Sequence, residues 1–153
     1  MRKLLIPILL LLTACGFHLR GSVQLPPELS EMAVLDAKPA TDIAPKLRRG
    51  LKITGVQIND VAAMVLQLTS EQYGKRVVSV DTSGRAQEYG LSYTVRFLLK
   101  RIGAEGEKAA VWLAEDSVSL TRDLRFDETA VLGTEDEERR LNAEMRQDAV
   151  LKE

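Results

Sequence analysis

Apolar and polar residues alternate over a long stretch in the middle of this chain. From residue 88 to residue 100 every second side chain is apolar or aromatic, and most of those between are polar; the apolar set is Tyr89, Leu91, Tyr93, Val95, Phe97 and Leu99. A period of two predicts a strand with one face on a core and one polar face.

A second alternating run precedes this strand, from residue 62 to residue 69, and Val78 and Val80 continue it beyond an expected break near Tyr73-Gly74. The cluster Asp81-Thr82-Ser83-Gly84 lies between the two runs and is rich in turn-forming residues. The two runs therefore predict an antiparallel hairpin that turns at 81–84.

A third long strand is predicted at 109–126, and its apolar phase changes along the way. Val111 and Leu113 occupy odd positions, whereas Val118 and Leu120 occupy even positions. A slip of one residue reverses the two faces of a strand, so we expect a β-bulge near 115–117.

Two segments have the helical period instead. Ile43, Leu47 and Leu51 share one helical face and predict a helix at about 42–54, with Thr41 or Asp42 as the N-cap and Gly55 beyond the C-terminus.

A second helix is predicted at about 135–152, where Leu141, Met145 and Ala149 share one face. Thr134 and Glu137 have the spacing of a capping box at its start.

The run Met32-Ala33-Val34-Leu35 is short and apolar, which is consistent with a buried strand. The predicted order is then β-α-β-β-β-α. One-sided strands and one-sided helices predict an α+β two-layer sandwich, with both helices on one face of a four-stranded, mostly antiparallel sheet.

The N-terminus has the pattern of an export signal. Arg2 and Lys3 precede the apolar run 4–12, and Leu12-Thr13-Ala14-Cys15 ends it with small residues and the only cysteine. Nine apolar residues are too few for a transmembrane helix. A lipoprotein signal requires a cysteine at the cut, so residues 1–14 are predicted to be removed and Cys15 to carry S-diacylglycerol and an N-acyl chain. The alternative is a plain secretory signal, which would leave an unpaired thiol in an oxidising compartment.

Residues 15–30, which include Pro26-Pro27, are interpreted as the lipidated anchor and an extended lead-in, and 31–153 as a single α/β domain. Several acyl chains give stable anchoring without a membrane span. Gly16, in place of an aspartate, follows the cysteine. We therefore expect attachment to the inner leaflet of the outer membrane, with the domain on the periplasmic side.

Charge and residue types narrow the function further. Without Arg2 and Lys3 the formal charge changes from −1 to about −3, which argues against a nucleic-acid-binding protein. Cys15 is expected to carry lipid and His18 is the only histidine, so no histidine triad or multi-histidine metal site can form within one chain. We expect no catalytic residue, no metal and no cofactor apart from the lipid; catalysis by carboxylates alone is the alternative.

The residues that follow the cut carry a family resemblance. Cys15-Gly16-Phe17-His18-Leu19-Arg20-Gly21 resembles the start of the mature LPS-assembly lipoproteins, the LptE family. Gln87-Glu88-Tyr89 with the strand after it resembles that family's central hairpin, and Arg122 to Asp127, leading through Leu132-Gly133, resembles its last strand and helix.

The resemblance implies a non-enzymatic outer-membrane lipoprotein that plugs the LptD β-barrel, assists its assembly and can bind lipopolysaccharide. A ligand with lipid A phosphates calls for Lys or Arg beside apolar surface. Lys75, Arg76 and Arg85 flank the predicted turn and are the candidate lipopolysaccharide-binding residues; ordinary solubilising charges are the alternative. The alternative function is a lipid-anchored envelope binding module, such as a secretion pilot protein, with a different partner.

Overall fold

The computed structural model describes residues 25–36, 41–103, 109–126 and 131–151. After a short 3-10 helix at Pro27–Leu29, the elements are β1 (Glu31–Leu35), α1 (Ala44–Ile53), β2 (Gln57–Ile58), β3 (Met64–Val80), β4 (Ala86–Arg101), β5 (Ala110–Arg125) and α2 (Val131–Leu151). Within these ranges the strands form one sheet in the order β2-β1-β3-β4-β5. The fold is therefore α+β, as predicted.

The predicted number of strands is wrong: the described sheet has five strands, and it is mixed. β1 runs parallel to both β2 and β3, while β4 runs antiparallel to both β3 and β5. The missed strand, β2, has only two residues, in register with Glu31 and Met32. Two residues are too few to show a period, so backbone pairing alone defines this strand.

β3 and β4 form one continuous hairpin. The expected break is wrong, because Tyr73 pairs with Tyr93 and Gly74 pairs with Ser92 inside an intact ladder. With 17 residues, β3 is about 55 Å long at ~3.3 Å per residue. β3 shifts its register against β4 at other places, between Leu68 and Ser70 and again near the turn between Val77 and Val80.

The bulge predicted in β5 is confirmed close to its expected place. Asp116 is in register with Phe97, but Leu113 is in register with Leu99, so β5 has one extra residue between these two pairs. The extra residue reverses the two faces, as the change of apolar phase required.

Both helices cover the same face of the sheet. The buried residues of this face include three of the six predicted inward residues of β4 and two of the three stripe residues of α2, and they pack as one cluster: Ile43, Ala44, Leu68, Leu91, Tyr93, Val95, Leu124, Met145 and Ala149. A second cluster lies beneath the 3-10 helix and the end of α1, around Met32, Val56 and Met64.

The predicted N-caps of both helices are wrong. α1 has Ile43 as its N-cap residue, with no side-chain hydrogen bond from Thr41 or Asp42. α2 begins at Val131, which places Thr134 inside the helix, so Thr134 and Glu137 do not form a capping box. Gly55 does end α1 with a φ of +94°, as expected for a residue just beyond a helix C-terminus.

A carboxylate from the sheet replaces the missing cap of α1. Oε2 of Glu71, in β3, accepts hydrogen bonds from the backbone N–H groups of Asp42 at 2.7 Å and Ile43 at 3.3 Å. Its Oε1 accepts from the Tyr93 hydroxyl at 3.0 Å and from Nε of Arg146 at 3.1 Å. A negative charge at a helix N-terminus is favoured by the helix dipole.

Arg146 extends this group from α2 to α1. Its Nη2 lies 3.0 Å from Oδ2 of Asp42, and its guanidinium lies 5.4 Å from the ring centre of Tyr73. We call Glu71, Arg146, Tyr93, Tyr73 and Asp42 the Glu71 cluster. The side chain of Glu71 is only 7% exposed and that of Arg146 17%, so the pair is largely withdrawn from water.

The Glu71 cluster alters the protonation behaviour of its members. Burial raises the pKa of the Tyr93 hydroxyl far above its usual range, and the adjacent Glu71 carboxylate raises it further. Burial opposes the charge of Arg146, but Tyr73, Glu71 and Asp42 outweigh that effect and raise the pKa of the guanidinium. Tyr93 therefore stays a hydrogen-bond donor and Arg146 stays a cation.

Replacing Glu71 should destabilise the fold strongly. Glu71→Ala leaves Arg146 without its buried partner, and loss of one member of a buried pair costs about 3–5 kcal/mol. Urea unfolding of the domain measures the loss, and Glu71→Gln, which keeps the shape, should lose less. Glu144→Ala is the control, because Glu144 is exposed and forms a surface ion pair with Arg140; it should change stability by less than about 0.5 kcal/mol. Equal effects of Glu71→Ala and Glu144→Ala would contradict the role of the cluster.

The contact between α1 and α2 should be disturbed by a single added methyl group. A Cβ added at Gly50 would lie 2.5 Å from Cγ1 of Val150. Gly50→Ala should therefore destabilise by about 1–3 kcal/mol, although alanine favours a helix by about 1 kcal/mol. In a Val150→Ala background the same substitution should become neutral or stabilising. Thermal unfolding of the four proteins tests this, and an identical effect in both backgrounds would show that the helices do not meet there.

Candidate functional site at the hairpin tip

The turn between β3 and β4 is built around Asp81. Its backbone N–H donates to the Arg85 carbonyl at 2.8 Å, and its carbonyl accepts from the N–H of Gly84 at 3.0 Å. Its Oδ1 accepts from the N–H groups of Ser83 at 2.7 Å and Arg85 at 2.9 Å. Gly84 has a φ of +80°, which favours glycine. The turn predicted at 81–84 is confirmed.

Arg85 is held by the same aspartate. Its Nε lies 3.1 Å from Oδ2 of Asp81. The hydrogen bond from the Arg85 backbone, with those from Ser83, Gly84 and the Arg85 side chain, lowers the pKa of Asp81 despite the opposing effect of burial. The Asp81 carboxylate is therefore ionised at neutral pH and offsets the charge of Arg85 at the tip.

Lys75 points toward the helix layer. Its Nζ lies 2.5 Å from Oε2 of Glu138 in α2 and 4.4 Å from the ring centre of Tyr89. These contacts join the outer part of the hairpin to α2. Lys75 therefore has a structural role that its sequence neighbourhood does not indicate.

Arg76 lies on the opposite face of the sheet. A Cβ added at Gly90 would lie 3.5 Å from Nε of Arg76 and 3.0 Å from Cγ2 of Val78, so these two side chains extend across that glycine. Within the described ranges the Arg76 guanidinium makes no hydrogen bond or ion pair with another side chain. Its charge is available to a ligand.

The three predicted residues therefore do not form one cluster. Lys75 and Arg76 lie on opposite faces of β3, and Arg85 is bound within the turn. Three exposed valines accompany them: Val77 is 52% exposed, Val78 51% and Val80 56%. The prediction from sequence omitted these valines, although the run Arg76-Val77-Val78 in a strand that extends beyond the core is the signal that could have identified them. The tip offers a cation beside apolar surface on its outer face.

The remaining expectations concern the signal peptide, the lipidation site, metal binding and membrane spans. The signal peptide 1–14 and the lipidation site Cys15 belong to the part of the chain that the structure does not describe. Across the described ranges no three histidine, cysteine or acidic side chains are grouped to hold a metal ion. Neither described helix is long and apolar enough to cross a membrane.

Comparison with known proteins decides the family. The sequence model of LptE, described as lipopolysaccharide-assembly, matches residues 29–152. The chain belongs to the LptE family. The resemblance found in its sequence is therefore confirmed.

Individual LptE proteins align with part of the chain. LPS-assembly lipoprotein LptE of Photorhabdus laumondii is 35% identical over 96 residues, or 60% of this chain, and that of Pectobacterium atrosepticum is 30% identical over 98 residues, or 61%. The alignments cover 53% of either relative, so the chain spans about half the length of the relatives it matches.

Solved structures share the fold. An uncharacterised lipoprotein B from Nitrosomonas europaea has a TM-score of 0.67 at 26% identity, covering 90% of this chain and 86% of its own. The rare lipoprotein B from Shewanella oneidensis has a TM-score of 0.65 at 24% identity, covering 78% of this chain and 87% of its own. The arrangement of helices and strands described above is thus found in other bacterial lipoproteins.

Proposed function

We propose that this protein is a non-enzymatic outer-membrane lipoprotein, attached through Cys15, that forms a complex with an LptD-like β-barrel. In that complex it plugs the barrel, assists its assembly and takes part in inserting lipopolysaccharide into the outer leaflet. The observation that carries the proposal is the LptE family match, which covers both helices and all five described strands.

The shape of the domain supports a division between an attached end and a free end. Leu25, where the description begins, packs with Met32 and Met64 beside the start of β3. The tip lies about 50 Å away along β3, at ~3.3 Å per residue. Cys15 precedes Leu25 by ten residues, a reach of about 35 Å at most. A lipid on Cys15 would hold one end of the sheet near the membrane and leave the tip free.

The tip has the chemistry that an anionic amphiphile requires. Lipopolysaccharide presents phosphates beside acyl chains, and Arg76 presents a guanidinium, unpaired among the described residues, beside Val78 on the same face. Arg is well suited to phosphate because its planar fork can donate two parallel hydrogen bonds. Among the three candidate cations we assign the direct contact to Arg76, with Lys75 and Arg85 contributing mainly through the field of their charges.

Charge reversal at the tip should weaken binding of purified lipopolysaccharide to the isolated domain. Arg76→Glu should reduce affinity about tenfold or more at low salt, since a charge-assisted hydrogen bond is lost and a repulsive charge is added. Lys75→Glu and Arg85→Glu should have smaller effects, and Lys75→Glu should also lower stability because it faces Glu138.

Arg96→Glu is the matched control. Arg96 is an exposed arginine of β4 that is in register with Ser70 of β3 and Ser117 of β5, so it lies well away from the tip. Its reversal should leave affinity nearly unchanged. Equal losses for Arg76→Glu and Arg96→Glu would indicate non-specific attraction, and unchanged affinity for Arg76→Glu would remove the tip from the proposed function.

The partner can be tested by purification from solubilised outer membranes. The affinity-tagged full-length chain should bring down, in near-equal amounts, a barrel protein whose electrophoretic mobility changes on heating. Depletion of the chain should reduce surface lipopolysaccharide. Isolation of a free monomer would contradict the proposal, and loss of a secretion channel on depletion would favour a pilot protein instead.

A further inference from the structure

The end of the domain opposite the tip is formed by four elements. β3 begins and β4 ends there, because Met64 is in register with Arg101, and β5 starts beside them with Ala110 in register with the same arginine. Leu51, near the end of α1, packs there against the cluster that contains Met64. Any apolar side chain that these elements expose therefore lies at the end where Leu25 also packs.

The turn before β3 presents Val61 to solvent at this end. The N–H of Val61 donates to Oδ1 of Asn59 at 3.1 Å, and the N–H of Ala62 donates to the Asn59 carbonyl at 3.0 Å. Nδ2 of Asn59 in turn donates to Oε1 of Glu31 at 2.6 Å, which ties the turn to β1. The turn is thus fixed by hydrogen bonds, yet the Val61 side chain is 87% exposed.

Ile102 lies beside Val61. Its N–H donates to the carbonyl of Ala63 at 2.7 Å, which joins the end of β4 to the start of β3. The side chains of Val61 and Ile102 line one open groove together with Arg101. Half of the Ile102 side chain is exposed.

The start of β5 adds apolar surface at the same level. Val111 is in register with Lys100, one residue before the end of β4, and it is mostly exposed. Trp112 follows and is half exposed. We call Val61, Ile102, Val111 and Trp112 the base surface. Single exposed apolar residues are common, but a group of them at one end marks an interaction site.

Charge at this end neither attracts nor repels a charged partner strongly. The described residues around the base surface include three basic and three acidic side chains: Lys52, Lys100 and Arg101 against Glu28, Glu31 and Asp60. The base surface therefore suits an apolar or amphipathic partner. Tryptophan is enriched where proteins meet the head-group region of a membrane, because its ring is both apolar and polar.

The attachment point selects the membrane as that partner. Cys15 lies ten residues before Leu25, so a lipid on it confines the base surface to within about 35 Å of the bilayer. A short tether of this kind gives a high effective concentration, so that a contact through few side chains is sufficient. The lumen of a barrel partner is polar and matches an apolar surface less well.

We propose that the base surface lies on the inner leaflet of the outer membrane while the anchored chain has not yet entered its barrel partner, with Val61, Ile102 and Trp112 among the lipid head groups. This inference rests on the proposed function, because it requires the lipid on Cys15. It adds an orientation of the free lipoprotein, in which β3 stands away from the membrane and the tip extends into the periplasm.

Tryptophan fluorescence tests the contact in the full-length, lipidated chain. Trp112 is the only tryptophan, so its emission reports the base surface alone. The chain is inserted through its lipid into vesicles of phosphatidylethanolamine and phosphatidylglycerol, without any barrel protein. Lipids brominated near the head group should reduce the emission about twofold or more, because Trp112 lies at their depth. The quenching should persist at high salt, since an apolar contact is not screened.

Two double variants locate the contact. Val61→Asp with Ile102→Asp should restore most of the emission, because ionised carboxylates stay in water. Val78→Asp with Val80→Asp adds the same charges at the tip, on side chains that are also about half exposed or more, and should leave the quenching unchanged. Thermal unfolding checks that both variants fold, and the quenching of the unaltered chain does not depend on either of them.

The possible failures of the two proposals are distinguishable. Unquenched Trp112 in the unaltered chain, or equal losses of quenching in the base and tip variants, would overturn the membrane contact and leave the proposed function standing. Emission at shorter wavelength without quenching by brominated lipid would show that the base surface meets a second copy of the chain, which also overturns the contact. If mass spectrometry finds Cys15 unmodified, the attachment in the proposed function fails as well.

Discussion

The buried carboxylate of Glu71 is the interaction that connects every layer of this fold. An isolated carboxylate in an apolar interior is unfavourable by many kcal/mol, so it can remain there only with several donors. Here two backbone N–H groups at the start of α1, the Tyr93 hydroxyl of β4 and the Arg146 guanidinium of α2 supply them. The position of both helices on the sheet therefore depends on one side chain of β3.

Ion pairs of basic residues also hold α2 in its place. Lys75 pairs with Glu138, Arg122 with Asp148, and Arg146 with Glu71 and Asp42, so three basic residues fasten α2 along its length to the sheet or to α1. Exposed pairs contribute little individually, at roughly 1 kcal/mol or less. Their distribution nevertheless fixes where α2 lies, and it leaves Arg76 as a cation that is not committed to this task.

Sequence periodicity predicted the faces of the elements but not the contacts between them. The alternation in β4 identified Leu91, Tyr93 and Val95 as buried, because facing the core is a property of each strand alone. The group that caps α1 could not be predicted, because it belongs to a distant part of the chain. Glu71 follows Asp42 by 29 residues and precedes Arg146 by 75, and no local pattern links them.

The same limit applies to the candidate site. Lys75 and Arg76 are adjacent in sequence and chemically similar, so composition gave no ground for separating them. The pleat places them on opposite faces, and only the position of Glu138, 63 residues after Lys75, shows which one is already paired. Local signals therefore located the tip, whereas the assignment of a single residue required the tertiary structure.

The two faces of the sheet suit different surroundings in the proposed complex. The helix-covered face is closed around an apolar core, while the opposite face presents mostly polar and charged side chains, with the Thr94 and Ser119 hydroxyls 3.0 Å apart. The lumen of an outer-membrane barrel is polar. A polar face can exchange hydrogen bonds with such a wall or with its water, whereas an apolar face would need a dry, closely matched surface. The outer face of β3, β4 and β5 is thus the side of the domain better suited to face the barrel wall.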